Sequence, residues 1–179
     1  MANAEDECTG RFWEGRFKSQ ALLDVTAVLQ CMAYVDLNPV RAGMASTLNE
    51  SDFTSIQERL AGATHNTLLP FSSLTTDRSQ LPFAEAGYFE LLEWGVSTAR
   101  AGKNRVVENI PAVFEKLHID SQKMADFLLQ SPTTLPRALG SAQAMRCLAR
   151  SVGLKFIHGV SGLYSILRDK NVPVRSRPA

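Results

Sequence analysis

Residues 24–43 read DVTAVLQCMAYVDLNPVRAG, and this stretch predicts the first helix of the chain. Asp24 is a helix-capping residue type, since its side chain can accept hydrogen bonds from first-turn amides. The apolar residues that follow recur at helical spacing, namely Val25, Val28, Leu29, Met32 and Val35. The residue before a proline avoids helical geometry, so the helix should end before Pro39, and Gly43 supports a turn. We expect an amphipathic helix with that apolar stripe facing the core.

The segment before this helix, residues 11–23, reads RFWEGRFKSQALL and alternates aromatic with charged side chains. That pattern favours an extended strand with a turn at Gly15. No later stretch has the pattern of a second strand of similar length, and a lone strand lacks partners for its backbone hydrogen bonds. We therefore expect a strand without a partner.

The rest of the chain has helical patterns, which makes the expected fold class mainly α. Further helices are expected at residues 53–60, 84–100, 111–117, 124–129 and 142–152. Ser51 or Asp52, Ser121 and Ser141 are the expected caps of three of them.

The segment 61–80 is poor in charge and rich in Ser and Thr, which is typical of a linker. It predicts a boundary between a first part, residues 1–60, and a small helical domain, residues 81–168. The last residues, 169–179, have the composition of a disordered tail.

Composition limits the class of protein. No apolar run reaches the length of a membrane span, and the acidic N-terminus lacks the features of a secretory signal, so we expect a cytoplasmic protein without a membrane partner. The 19 basic and 18 acidic residues nearly balance, but from Arg137 onward there are eight basic residues and one acidic residue. Such an end can contact phosphates, or it can be a solvated face with a frayed tail.

Tyr34 and Asn38 are the residues that suggest chemistry. At about 100° per residue, Tyr34 lies roughly opposite Val25 on the helix, away from the apolar stripe. Asn38 follows one turn later, so the phenol could act as a nucleophile while the amide oxygen binds Mg²⁺ or Mn²⁺. The alternative is that Tyr34 is a half-exposed aromatic residue and Asn38 a helix-end residue.

The residue sequences of two motifs resemble those of one protein family. GRFWEGRFKSQALLD, followed by CMAYVDLNPVRAGM, resembles the REP-associated tyrosine transposases, a branch of the single-tyrosine HUH transposases. The two motifs occur in the family's order and at its spacing. Weaker similarity extends through LPFAEAGYFELLEWGVSTAR, NIPAVFEKLHID and RALGSAQAMRCLARSVGLKFIHG, so the resemblance covers most of residues 10–160.

The resemblance implies a role for each matching residue. Tyr34 matches the tyrosine that attacks a DNA phosphodiester and forms a 5′-phosphotyrosine, and Asn38 matches one ligand of the divalent metal. Arg41 and the strand cations Arg11, Arg16 and Lys18 are expected to contact single-stranded DNA. The implied fold is the C-terminal remnant of an α+β HUH transposase domain, with the unpartnered strand and the nucleophile helix, followed by the small helical domain.

The family's other two metal ligands come from a His-hydrophobic-His strand that precedes the first motif. This chain has only His65, His118 and His158, all later and none paired. The expectation is an N-terminally truncated transposase that binds no Mg²⁺ or Mn²⁺ alone and does not cleave DNA alone.

Two other functions stay open. The helices and the basic end could form a DNA-binding or regulatory protein, acting as a homodimer or paired with an intact transposase. The chain could also be a non-functional remnant that associates through its unpartnered strand. For each function that involves DNA, the expected partner is single-stranded DNA, with a hairpin as one candidate form.

Overall fold

The computed structural model describes residues 19–52, 54–62, 69–72, 80–81, 83–101, 108–129, 136–155 and 157. This part of the chain is mainly helical, as predicted. None of the helices in these ranges is long and apolar enough to cross a membrane. Most of the predicted strand, residues 11–18, and the predicted tail, residues 169–179, lie outside the described residues.

The elements of the described part are named in chain order. They are β1 (Ala21–Leu22), α1 (Val25–Asp36), α2 (Asn38–Arg41), α3 (Ser55–Leu60), α4 (Glu85–Ala101), α5 (Ala112–Lys116), α6 (Ser121–Leu129), β2 (Ala138–Leu139) and α7 (Ala142–Ser151).

Helix α1 begins as predicted. Asp24 has extended backbone geometry, and its Oδ1 accepts a hydrogen bond from the Ala27 amide at 2.9 Å. Four residues of the predicted stripe face the core: Leu29 is fully buried, and Val25, Val28 and Met32 pack against the hydrophobic core as partly buried residues. The fifth, Val35, is 58% exposed, while Ala33, outside the stripe, is fully buried. The helix is therefore rotated slightly about its axis relative to the prediction, because the residues that pack on α4 and α6 decide its orientation.

The end of α1 before Pro39 is as predicted, but the segment that follows differs from the prediction. The helix ends at Asp36, and instead of a simple turn the chain forms the short helix α2, with Pro39 in its first turn. A proline is tolerated there because the first amides of a helix have no partner within it. The predicted turn follows at Gly43, whose φ is 70°.

The expectation of a strand without a partner is wrong for its described end. β1 pairs in parallel with β2, with Ala21 opposite Ala138 and Leu22 opposite Leu139. Gln20 extends the contact, since its Nε2 donates to the Pro136 carbonyl at 2.8 Å. A two-residue strand beside a proline and a glycine has no detectable alternation, which is why the pattern did not reveal it.

Asp24 fixes the region around the β1–β2 pair. Its Oδ2 accepts a hydrogen bond from the Ser141 amide at 2.6 Å, while the Ser141 hydroxyl caps α7 as predicted. Gly140 allows this approach, because a Cβ there would lie 2.9 Å from the Leu23 Cβ. One carboxylate thus links the N-termini of α1 and α7.

Two other caps differ from the predictions. Helix α3 begins at Ser55 and Thr54 caps it, in place of Ser51 or Asp52. At α6 the capping side chain is Asp120, whose Oδ1 accepts from the Lys123 amide at 3.0 Å, and Ser121 is the first helical residue.

The main core contains residues from both sides of segment 61–80. Leu29 and Ile56 belong to the same buried cluster as Tyr88, Phe114 and Phe127. Within that segment, Phe71 packs against the Tyr88 ring with a centroid distance of 5.5 Å. The division of the chain into two domains stays a prediction.

Candidate functional site

Tyr34 lies in the last turn of α1 with its ring between two side chains. The Phe127 ring of α6 lies on it with a centroid distance of 5.5 Å and an interplanar angle of 54°. The guanidinium carbon of Arg41 lies 4.2 Å from the centroid of the Tyr34 ring. A cation at that distance from an aromatic face is attracted by the ring quadrupole. The phenol is therefore held beside a positive charge.

The backbone explains how Arg41 reaches Tyr34. Helical hydrogen bonding continues across the break between α1 and α2, from the Leu37 amide to the Ala33 carbonyl and from the Arg41 amide to the Leu37 carbonyl, both at 3.0 Å. Residues seven apart in a helix lie on one face. The motif spacing thus brings Arg41 over Tyr34.

Tyr34 is not opposite the core, contrary to the sequence analysis. It flanks the buried face of α1 and packs against the main cluster as a partly buried residue. The exposed position opposite the core belongs to Val35. Among the described residues, the Tyr34 hydroxyl has no hydrogen-bond partner.

Asn38 is the first residue of α2, and its side chain is exposed. A Mg²⁺ ion needs about six oxygen ligands, several of which are usually waters with one or two carboxylates. The described part of the chain contains no group of three His, Cys, Asp or Glu side chains that could hold a metal. Asn38 by itself does not fit such a site, so no chemical step is assigned to a metal bound by this chain.

The remaining predicted DNA contacts, Arg11, Arg16 and Lys18, lie outside the described residues. Of the predicted set, Tyr34 and Arg41 are in contact, and Asn38 lies between them in sequence.

Asp36, two residues after Tyr34, forms a buried polar group that the sequence analysis did not identify as a site. It is 2% exposed, its Oδ1 accepts from the Ser55 hydroxyl at 2.7 Å, and its Oδ2 accepts from the hydroxyl of the fully buried Tyr88. Burial, with the Asp36 charge as a second cause, raises the pKa of Tyr88 above its ordinary range. In the sequence Asp36 stands between Val35 and Leu37, but no sequence pattern identifies Ser55 and Tyr88 as its hydrogen-bond partners.

This network has a structural consequence for the site. It joins α1, α3 and α4 at the level of the last turn of α1, where Tyr34 also lies. A buried carboxylate is stable only when donors satisfy it. The end of α1 is therefore fixed from one side by Asp36 and from another by the packing of Tyr34.

Comparison of the chain with protein-family models, with curated proteins and with solved structures finds no match in any of the three.

Proposed function

We propose that this chain carries the nucleophile-bearing part of a REP-associated tyrosine transposase, a single-tyrosine HUH enzyme of DNA transposition. Two motifs in family order support the proposal, and the contact between Arg41 and Tyr34 is the observation that carries it. A solvated phenol has a pKa near 10 and is a weak nucleophile at neutral pH. The Arg41 cation beside the ring attracts the anionic phosphate that Tyr34 attacks.

In the proposed reaction, Tyr34 Oη forms a bond to the phosphorus of a DNA phosphodiester. The bond from phosphorus to the 3′ oxygen breaks, the phenol loses its proton and the departing oxygen gains one. The products are a 5′-phosphotyrosine and a free 3′-hydroxyl. Arg41 stabilises the negative charge that develops on the phosphate oxygens.

Phe127 has a positioning role in this proposal. It fixes the plane of the Tyr34 ring from α6, so the phenol cannot turn freely about its side-chain torsions. A nucleophile held in one orientation loses less entropy when it reacts. Helix α6 thus helps to orient the Tyr34 nucleophile on α1.

In the family, a divalent metal polarises the scissile phosphate. This chain supplies one matching ligand, Asn38, and no His-hydrophobic-His pair. We therefore propose that the polypeptide of residues 1–179 does not cleave DNA alone, and that cleavage needs histidines from a preceding segment or from an intact transposase.

The test compares two proteins on a single-stranded hairpin oligonucleotide with Mn²⁺. One is the chain as it stands, and the other is extended by its upstream in-frame coding sequence where this encodes a His-hydrophobic-His strand. We expect a covalent DNA adduct only from the extended protein, lost in Tyr34→Phe and reduced in Asn38→Ala.

Each other result is informative. An adduct that persists in Tyr34→Phe would contradict the assignment of the nucleophile. An adduct from the unextended chain would show that the histidine pair is not required. An upstream sequence without such a strand, together with no adduct in mixtures with an intact transposase, would contradict the transposase proposal.

A further inference from the structure

Helix α7 has an exposed face that carries only positive charge. Residues 136–155 include four basic residues and no acidic residue. The four are Arg137, Arg146, Arg150 and Lys155, all exposed. None of them forms an ion pair with a carboxylate of the described part. We call these four residues the basic surface of α7.

Two of these cations lie side by side. Arg146 and Arg150 are four residues apart, which places them on one face about 6 Å apart along the helix axis. Arg150 lies back along the helix, with its Nε donating to the Arg146 carbonyl at 3.4 Å. Arg137 precedes the helix and Lys155 follows it, so positive charge is distributed along its whole length.

The apolar face of α7 is already occupied. Met145 and Ala149 are 1% and 4% exposed. A helix that lies in a membrane surface must insert its apolar face between lipids. With that face packed against protein, α7 itself offers a partner mainly its charges, and the exposed apolar residues nearby, Val152 and Leu154, lie after the helix end. This distribution favours a nucleic acid backbone over a lipid surface.

The position of α7 adds a second argument. β2 leads directly into α7 and pairs with β1, and Asp24 holds the Ser141 amide at the start of the helix. β1 begins three residues after Lys18, the last cation of the first family motif. The N-terminus of α7 is thereby anchored next to the chain segment that leads to the proposed DNA contacts.

We infer that the basic surface of α7 binds the phosphate backbone of single-stranded DNA. The choice of DNA rests on the proposed function, but binding does not require cleavage. Residues 136–155 contain no aromatic side chain on which a base could stack, so this contact is independent of base sequence and electrostatic. Its strength should fall steeply with salt concentration.

The experiment measures fluorescence anisotropy of a labelled 20-nucleotide single strand over a series of salt concentrations. The full chain is compared with Arg146→Gln/Arg150→Gln. Loss of two phosphate contacts should make the slope of log affinity against log salt shallower by about 1.4. Circular dichroism confirms that these exposed substitutions leave the fold intact.

Two control variants separate charge from structure. Arg146→Lys/Arg150→Lys retains both charges and should retain the slope, and Lys116→Gln removes an exposed charge on α5 and should also leave it unchanged. A slope that is equal in the full chain and the double glutamine variant would overturn the inference, as expected if these arginines serve only the helix dipole.

Binding to vesicles containing phosphatidylserine, with no binding to the oligonucleotide, would also overturn it. Because DNA binding is measured without Mn²⁺ and in the Tyr34→Phe background as well, its outcome does not depend on cleavage. If the chain binds through α7 but no adduct forms with the extended protein or in mixtures with an intact transposase, this inference stands and the proposed function fails.

Discussion

At the scale of single residues, Asp36 and Tyr34 show two ways in which a side chain near the end of α1 is held. Asp36 is held by hydrogen bonds from Ser55 and Tyr88. Tyr34 is held by ring contacts with Arg41 and Phe127 and has no hydrogen bond to a described residue. The two hydroxyl groups of Tyr88 and Tyr34 should therefore differ greatly in their effect on stability.

Replacing Tyr88 with Phe should lower the free energy of unfolding by about 2 kcal/mol, because it removes a hydrogen bond to a buried charged group. Urea unfolding followed by circular dichroism measures the change. Tyr34→Phe is the matched control and should cost less than about 0.5 kcal/mol. Equal losses in the two variants would contradict the assigned role of the Asp36 network.

Stability should also depend on Tyr88 at high pH. Burial and the Asp36 charge raise the pKa of Tyr88. Above about pH 10 an unfolded chain releases the phenol proton while the folded chain keeps it. The contribution of protonated Tyr88 to the free energy of unfolding is therefore fully present below about pH 10 and is lost as the pH rises further. Urea unfolding at pH values from about 9 to 11 should show a steeper loss for the wild type than for Tyr88→Phe, and parallel losses would contradict the prediction.

At the scale of elements, local chemistry was predictable and packing was predictable only in part. The caps at Asp24 and Ser141 depend on nearby amides, and both predictions are confirmed. The buried face of α1 was predicted only in part: Leu29, Val25, Val28 and Met32 contact the core, but Val35 is exposed and Ala33, outside the stripe, is buried. Packing just after the end of α1 also depends on Gly95, whose missing side chain lets Leu37 lie close to α4.

Gly95→Ala tests this close approach. A Cβ at Gly95 would lie 2.6 Å from the Leu37 Cδ1, and Leu37 is itself buried. Overpacking costs about 1–3 kcal/mol, which exceeds the gain of about 1 kcal/mol in helix propensity. We expect a net loss of about 1 kcal/mol in chemical denaturation.

Gly87→Ala in the same helix provides the control. Its Cβ would meet only the Val113 Cβ at an ordinary 3.7 Å. The propensity gain should then dominate, and the protein should become more stable by about 0.5–1 kcal/mol. Equal changes in stability for the two alanine variants would contradict a specific steric clash between a Cβ at Gly95 and Leu37.

At the scale of the whole molecule, one core joins residues from both sides of the predicted linker. The fully buried residues Leu29 and Ala33 of α1 belong to the same cluster as residues of α4 and α6. Burying a leucine contributes roughly 2 kcal/mol, so packing against helices later in the chain stabilises α1.

A fragment of residues 1–80 should therefore not fold alone. We expect weak helical circular dichroism and no cooperative urea transition, in contrast to the full chain. A cooperative transition in the fragment would show that the first part is an independent domain, as the composition of segment 61–80 suggested.

The candidate site was predictable to the extent that it depends on one continuous motif. Tyr34, Asn38 and Arg41 stand out in sequence, and the seven-residue spacing accounts for the contact between Tyr34 and Arg41. Phe127 could not be predicted, because its contact depends on how α6 packs against α1. The resemblance to a transposase stays a prediction, with the nucleophile assay as its test.

The link between Asp24 and Ser141 has a consequence for biosynthesis. The two residues are 117 positions apart. At ribosomal speeds of about 5–20 residues per second, Ser141 is made roughly 6 to 23 s after Asp24. During that interval β1 has no β2 to pair with, and Asp24 has no Ser141 amide to accept from. Chains released before residue 138 would lack both partners, so this contact between the two ends of the described chain forms only late in synthesis.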